Sequence, residues 1–296
     1  MANRGYLAAM VACGVLLTGC DGQTGPGAAD LGPGPAANES SGPSAPEGLI
    51  GSWTIADLAD PGVGTILRLA DHELYLVGSR CGILRGSWRA DTDGNFLAEV
   101  NSTVSAAVEG TPDCKRVSQD TPGWLRRVTA YRIDGSGRPV LLDNLAQPVA
   151  RLLPGATPTA GPDMAASLLE PPTVTDEARR ALAPAAALPP TLNPADQHRL
   201  TGRWTPAVGH RGAYLEFTTD GEWRGSDGCN GGGGRWITAT GGALLATTGP
   251  VTKIGCPDQV PVWSWLRTTR RAGLDGEALV LLDAQGREAG RLRPAD

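Results

Sequence analysis

From Leu49 onward the apolar positions alternate instead of recurring every three or four residues. In "YLEFTTDGEWRG", Leu215 and Phe217 share one face, Asp220-Gly221 supplies a turn, and Trp223 begins the return. Asp-Gly between two such runs is a hairpin signal, because both residues tolerate the backbone twist of a tight turn. "WRADTDGNFLAEV" and "WITATGGALLATT" predict a second hairpin, with Trp88 eight before Phe96 and Trp236 eight before Leu244. "YRIDGSGRPVLLD" and "RAGLDGEALVLLD" predict a third. Within each unit the segment around "WLR" alone has helical character, and each predicts about two or three turns after a proline. The expected fold class is therefore mostly β (α+β): two tandem small antiparallel meander or barrel units, each with one short helix.

The pattern occurs twice. "GSW" at Gly51–Trp53 matches "GRW" at Gly202–Trp204. Leu67 and Leu69 precede Cys81 by 14 and 12 positions, and Leu215 and Phe217 precede Cys229 by the same intervals. Trp88 follows Cys81 by seven, as Trp236 follows Cys229. "WLR" recurs at Trp124 and Trp265, ten residues before Asp134-Gly135 and Asp275-Gly276. Many matches in one order point to a duplication, with units at 49–155 and 199–296. Between them, 156–198 is a Pro/Ala-rich linker. Its "TDEARRAL" predicts a short helix with Thr175 as N-cap and two acids in the first turn.

The beginning of the chain reads as an address. Arg4 precedes the apolar run "YLAAMVACGVLL", which is too short to span a bilayer stably and ends in "LTGC" at Cys20. This resembles a bacterial lipobox, with 1–19 as signal peptide and Cys20 as the acylated residue; the competing reading is an ordinary signal peptide or an uncleaved anchor. Two acyl chains hold a protein stably to a membrane. Residues 20–48 are rich in Gly, Pro, Ser and Ala and are expected to form a disordered tether. The expected location is the extracytoplasmic face of the cell membrane, lipid-anchored through Cys20.

Composition changes the picture in one respect. Net charge is -5 and there is no basic block, which argues against a nucleic-acid partner.

The units hold four cysteines, Cys81 and Cys114 in the first and Cys229 and Cys256 in the second. In an exported chain, pairing within each unit is the economical reading, against zinc ligation or reactive thiols. No Cys-x-x-Cys occurs, and His72, His198 and His210 do not recur at matching places, so no metal site is expected. The run "GCNGGGGRW" lacks the Lys-Ser/Thr of a phosphate-binding loop. Its counterpart is "RCGILRG", so the run is expected to be a bulged turn fixed at Cys229 and dispensable to the architecture.

A Gly-x-Trp start, a strand pair, "GCN", "TKIGC", a short helix and the closing "LVLLDAQG" together resemble the META domain, the family of the heat-shock lipoprotein HslJ. The likeness covers 199–296. The first unit enters only through the repeat, with Gly82 where Asn230 stands and "TPDC" for "KIGC". The resemblance implies a small antiparallel β domain packed with a helix, in envelope proteins linked to stress and antibiotic tolerance, and it carries over no catalytic residue.

No recognised catalytic motif is present. "DTDGN" at Asp91–Asn95 begins like a calcium loop but has Ser102 at the twelfth position, where a bidentate Glu is needed. Trp53, Trp88, Trp204 and Trp236 sit at repeat-equivalent sites and are expected in the core. Trp263 has no counterpart in the first unit, so Trp263, Trp265 and Asn230 form the candidate binding surface. The leading expectation is a non-catalytic envelope protein that binds another envelope protein or a small molecule, without cofactor. The alternatives are a lipocalin-like carrier of a small apolar ligand and an enzyme of unrecognised type.

Overall fold

Four turns are closed by one device. The Oδ1 of Asp91, Asp134, Asp143 and Asp283 each accepts hydrogen bonds from the backbone N–H groups two and four residues on, at 2.9–3.0 Å. Such aspartates favour turns because the short side chain reaches its own backbone. The Asp91 carboxylate of "DTDGN" is thus engaged in holding a hairpin. The computed structural model describes residues 45–58, 66–79, 82–106, 121–158, 165–208 and 212–295.

The first unit contains β1 (Gly51–Ala56), β2 (Ile66–Ala70), β3 (Glu73–Ser79), β4 (Gly82–Ala90), β5 (Phe96–Ala106), α1 (Gly123–Arg127), β6 (Ala130–Ile133), β7 (Pro139–Leu142) and β8 (Pro148–Pro154). Its eight strands are all antiparallel, in the order β5-β4-β3-β2-β1-β8-β7-β6, and the ends meet at the bridge Asn95↔Ala130.

The linker supplies α2 (Asp176–Leu182), β9 (Asn193–Pro194) and α3 (Gln197–Leu200). The second unit contains β10 (Gly202–Pro206), β11 (Ala213–Phe217), β12 (Glu222–Asp227), β13 (Gly231–Ala239), β14 (Ala243–Ala246), α4 (Val262–Thr268), β15 (Arg271–Asp275), β16 (Ala278–Leu282) and β17 (Glu288–Pro294). Its order, β14-β13-β12-β11-β10-β17-β16-β15, repeats the first, and it closes at Ala243↔Arg271. The fold is mostly β, two antiparallel units of one topology. Helix α4 has seven residues, about the two turns expected, and α1 has five, shorter than expected. Helix continuation stops where the chain must enter β6 or β15.

Side chains fill both interiors. Trp88, Trp223, Trp236, Phe96 and Phe217 are the largest fully buried residues. Trp88 stacks on Phe96 at 6.1 Å, and Phe217 meets Trp236 edge-on at 5.2 Å. The repeated Gly-x-Trp has the same role in each unit. Trp53 Nε1 donates to Leu49 O and Trp204 Nε1 to Leu200 O, both at 2.8 Å, tying the preceding turn to the barrel.

The two sheets belong to one compact unit. The barrels meet through repeat-equivalent surfaces. Phe96 and Ala98 face the first core, so alternation turns Leu97 and Glu99 outward. Leu245 is turned outward by the same register in β14, and Thr247 follows directly after that strand. Leu97 and Leu245 are nevertheless 0% and 2% exposed, because each barrel covers the other. Glu99 accepts a bond from Thr247 Oγ1 at 2.7 Å, a contact between matching positions of the repeat. The carbonyls of Arg126 and Arg267, also matching, each receive a guanidinium from the opposite barrel, from Arg235 at 2.6 Å and from Arg89. The surfaces are thus related as in an isologous dimer.

The linker is packed along both units. Thr175 Oγ1 caps α2 by accepting from Ala178 N–H at 3.0 Å, and Ala178 and Leu182 join the first core. β9 pairs with β15 through Gly273↔Pro194, and Arg270 donates to Ala181 O at 2.8 Å.

Candidate functional site

The residues Asp227–Asn230 turn the chain from β12 into β13. Asp227 is 5% exposed, and its carboxylate is fully engaged. Oδ1 accepts from the N–H groups of Cys229 and Asn230 at 2.8 and 2.6 Å. Oδ2 accepts from Asn230 Nδ2 at 3.1 Å and from the indole N–H of Trp263, on α4, at 3.3 Å. Burial alone would raise the Asp227 pKa, but these donors prevail and hold it below the ordinary aspartate value.

Asn230 extends the network to the loop between β14 and α4. Its Nδ2 donates to Ile254 O at 3.0 Å, and its Oδ1 accepts from Ile254 N at 2.6 Å. Cys229 and Cys256 form a disulfide with Cα atoms 6.3 Å apart. A closed loop of 27 residues contributes about 3–4 kcal/mol by restricting the unfolded chain. Two neighbouring residues, one by sulfur and one by amide, thus fasten the same loop.

The glycines that follow are strand residues, not a bulged turn, and all but Gly231 are required by the architecture. A Cβ on Gly232 would stand 3.3 Å from the Trp263 ring, one on Gly233 2.8 Å from Trp223 O, and one on Gly234 would overlap Thr247 O. Gly234 has a counterpart in Gly86, where a Cβ would overlap Glu99 O. The first unit thus keeps a glycine at the place of Gly234 and has Leu84 and Arg85 at the places of Gly232 and Gly233.

A cleft of about 440 Å³ opens under the loop. Trp263, Val251 and Ile254 line it with apolar surface, Asn230 and Asp227 form its floor turn, and Lys253 and Arg267 belong to its lining. Trp263 also packs on the buried Trp223 with ring centroids 5.6 Å apart. Of the candidate surface residues, Asn230 and Trp263 come together here. Trp265 is half-buried against Gly290 and does not line the cleft. Sequence reasoning missed Asp227; its position two residues before Cys229 in a turn was the available signal. Cys20, Cys81 and Cys114 lie outside the described residues.

A second cleft, of about 640 Å³, lies between the barrels. Its principal cations are already paired. Arg126 bonds Glu222 at 2.6 Å, and Arg235 donates to Ala98 O at 2.7 Å and Arg126 O. Burial brings the Arg235 pKa down to about 10, which still leaves it protonated at neutral pH.

Among the described residues, no group of three or more His, Cys, Asp or Glu stands together as a metal site. Among the same residues, no helix is long and apolar enough to cross a membrane. No protein-family model matches the chain, and comparisons with curated proteins and with solved structures gave no match.

Proposed function

We propose that this is a lipid-anchored, non-catalytic protein of the cell envelope, and that its second barrel binds a small molecule in the cleft beside Trp263. One observation carries the binding assignment. Asp227, Asn230 and Trp263, which build the cleft, are replaced at the matching places of the first unit by Ser79, Gly82 and Pro122. Residues needed by both barrels recur in both; these three do not, so a requirement peculiar to the second barrel sets them. A volume of about 440 Å³ suits a small molecule better than a folded partner. The filled interiors favour this outer site over lipocalin-like carriage. The lipobox-like "LTGC" supports anchorage through Cys20, and the likeness to META domains supports an envelope setting and a stress-linked role.

The test uses N-phenyl-1-naphthylamine, an uncharged fluorescent probe, with the full chain carrying Cys20→Ser. Saturable binding at one site is expected. Trp263→Ala is expected to weaken it by about tenfold or more, the loss that follows removal of an aromatic platform. A binding curve unchanged in that variant would refute the assignment.

A further inference from the structure

The cleft has an electrostatic character that its apolar walls do not account for. Lys253 is one of only two lysines in the chain, and it stands with Arg267 in the lining. Both side chains are exposed, and among the described residues neither has a carboxylate partner. The only carboxylate of the lining is Asp227, whose two oxygens accept four bonds from the turn and from Trp263. Asp227 keeps its negative charge, but its oxygens are taken up by those neutral donors and it makes no ion pair with either cation. In a chain of net charge -5, this is a local excess of cations around an apolar platform.

Resting on the binding assignment above, we infer that the cleft selects a small aromatic or apolar molecule bearing an anionic end group. The flat part lies on Trp263 between Val251 and Ile254, and the carboxylate, sulfonate or phosphate faces Lys253 and Arg267. An uncharged ligand would use only the apolar walls. A cationic one would meet two like charges against a single carboxylate whose oxygens are already engaged.

The experiment compares 1-anilinonaphthalene-8-sulfonate with the uncharged N-phenyl-1-naphthylamine on the full chain carrying Cys20→Ser. The two probes share their aromatic frame and differ in the sulfonate. The sulfonate probe is expected to bind more tightly. Lys253→Gln and Arg267→Gln should each weaken it by about fivefold, as for a partly exposed ion pair, and weaken the uncharged probe much less. Raising the salt concentration should weaken the sulfonate probe alone. Both substitutions lie on exposed side chains, so folding is not at stake. Equal affinity for the two probes, with no effect of either substitution, would overturn the inference while leaving the binding assignment in place. If neither probe responds to Trp263→Ala, the assignment falls and the inference with it.

Discussion

Gly234→Ala is expected to destabilise the second barrel by about 3 kcal/mol or more, the upper part of the range for steric overpacking. The added Cβ would overlap the Thr247 carbonyl oxygen and stand 2.8 Å from Trp223 Nε1. That indole donates to the same carbonyl at 2.8 Å, so the methyl group displaces a buried hydrogen bond as well as a strand. Neither neighbour can yield, because Thr247 is fixed on its other side by Glu99 and Arg235. Gly231→Ala, three residues earlier in the same strand, meets nothing within 4 Å and should change stability by less than about 0.5 kcal/mol. Urea unfolding of the two variants checks this. Equal midpoints would mean that β13 and β14 are not in the register described.

Asp227→Ala should cost about 3–5 kcal/mol, since it leaves several buried donors without an acceptor. Those donors are the N–H groups of Cys229 and Asn230, the Asn230 amide and the Trp263 indole. Losing them frees both the turn and α4, so probe binding should fall with stability. The effect depends on pH. The folded-state pKa of Asp227 lies below its unfolded value of about 3.9, so its contribution is present above that value and disappears as pH falls through the folded pKa. The difference in stability between the parent and Asp227→Ala should therefore shrink in acid. A difference that is constant from neutral pH to strong acid would show that the carboxylate is not held by these bonds.

The hairpins and the duplication were legible because both depend on local pattern. Asp220-Gly221 and the alternating Leu215 and Phe217 define β11 and β12 without reference to anything distant. The glycine run was misread for the opposite reason. What excludes a side chain at Gly234 is Thr247, brought near only by the pairing of β13 with β14. The contact between the barrels also left a trace that alternation alone did not decode. "FLA" at Phe96–Ala98 and "ALLA" at Ala243–Ala246 are apolar at successive positions, which signals a strand covered on both faces. Of the cleft, Trp263 and Asn230 were legible as unmatched residues, but Trp265 was placed with them by proximity in sequence. Two positions on a short helix point to different neighbours, and only Trp263 reaches Asp227. Asp227 itself looks like an ordinary turn residue until the loop carrying Ile254 and the helix carrying Trp263 fold onto it.

The most direct test of the account observes each tryptophan separately. The chain has eight, and each indole N–H gives its own resonance in a nitrogen-labelled sample. With N-phenyl-1-naphthylamine titrated into the full chain carrying Cys20→Ser, the resonance of Trp263 is predicted to move progressively and to saturate. Those of Trp53, Trp88 and Trp124 in the first barrel should stay in place. Movement of Trp88 or Trp53, or no movement of Trp263 at saturation, would contradict a binding cleft on the second barrel.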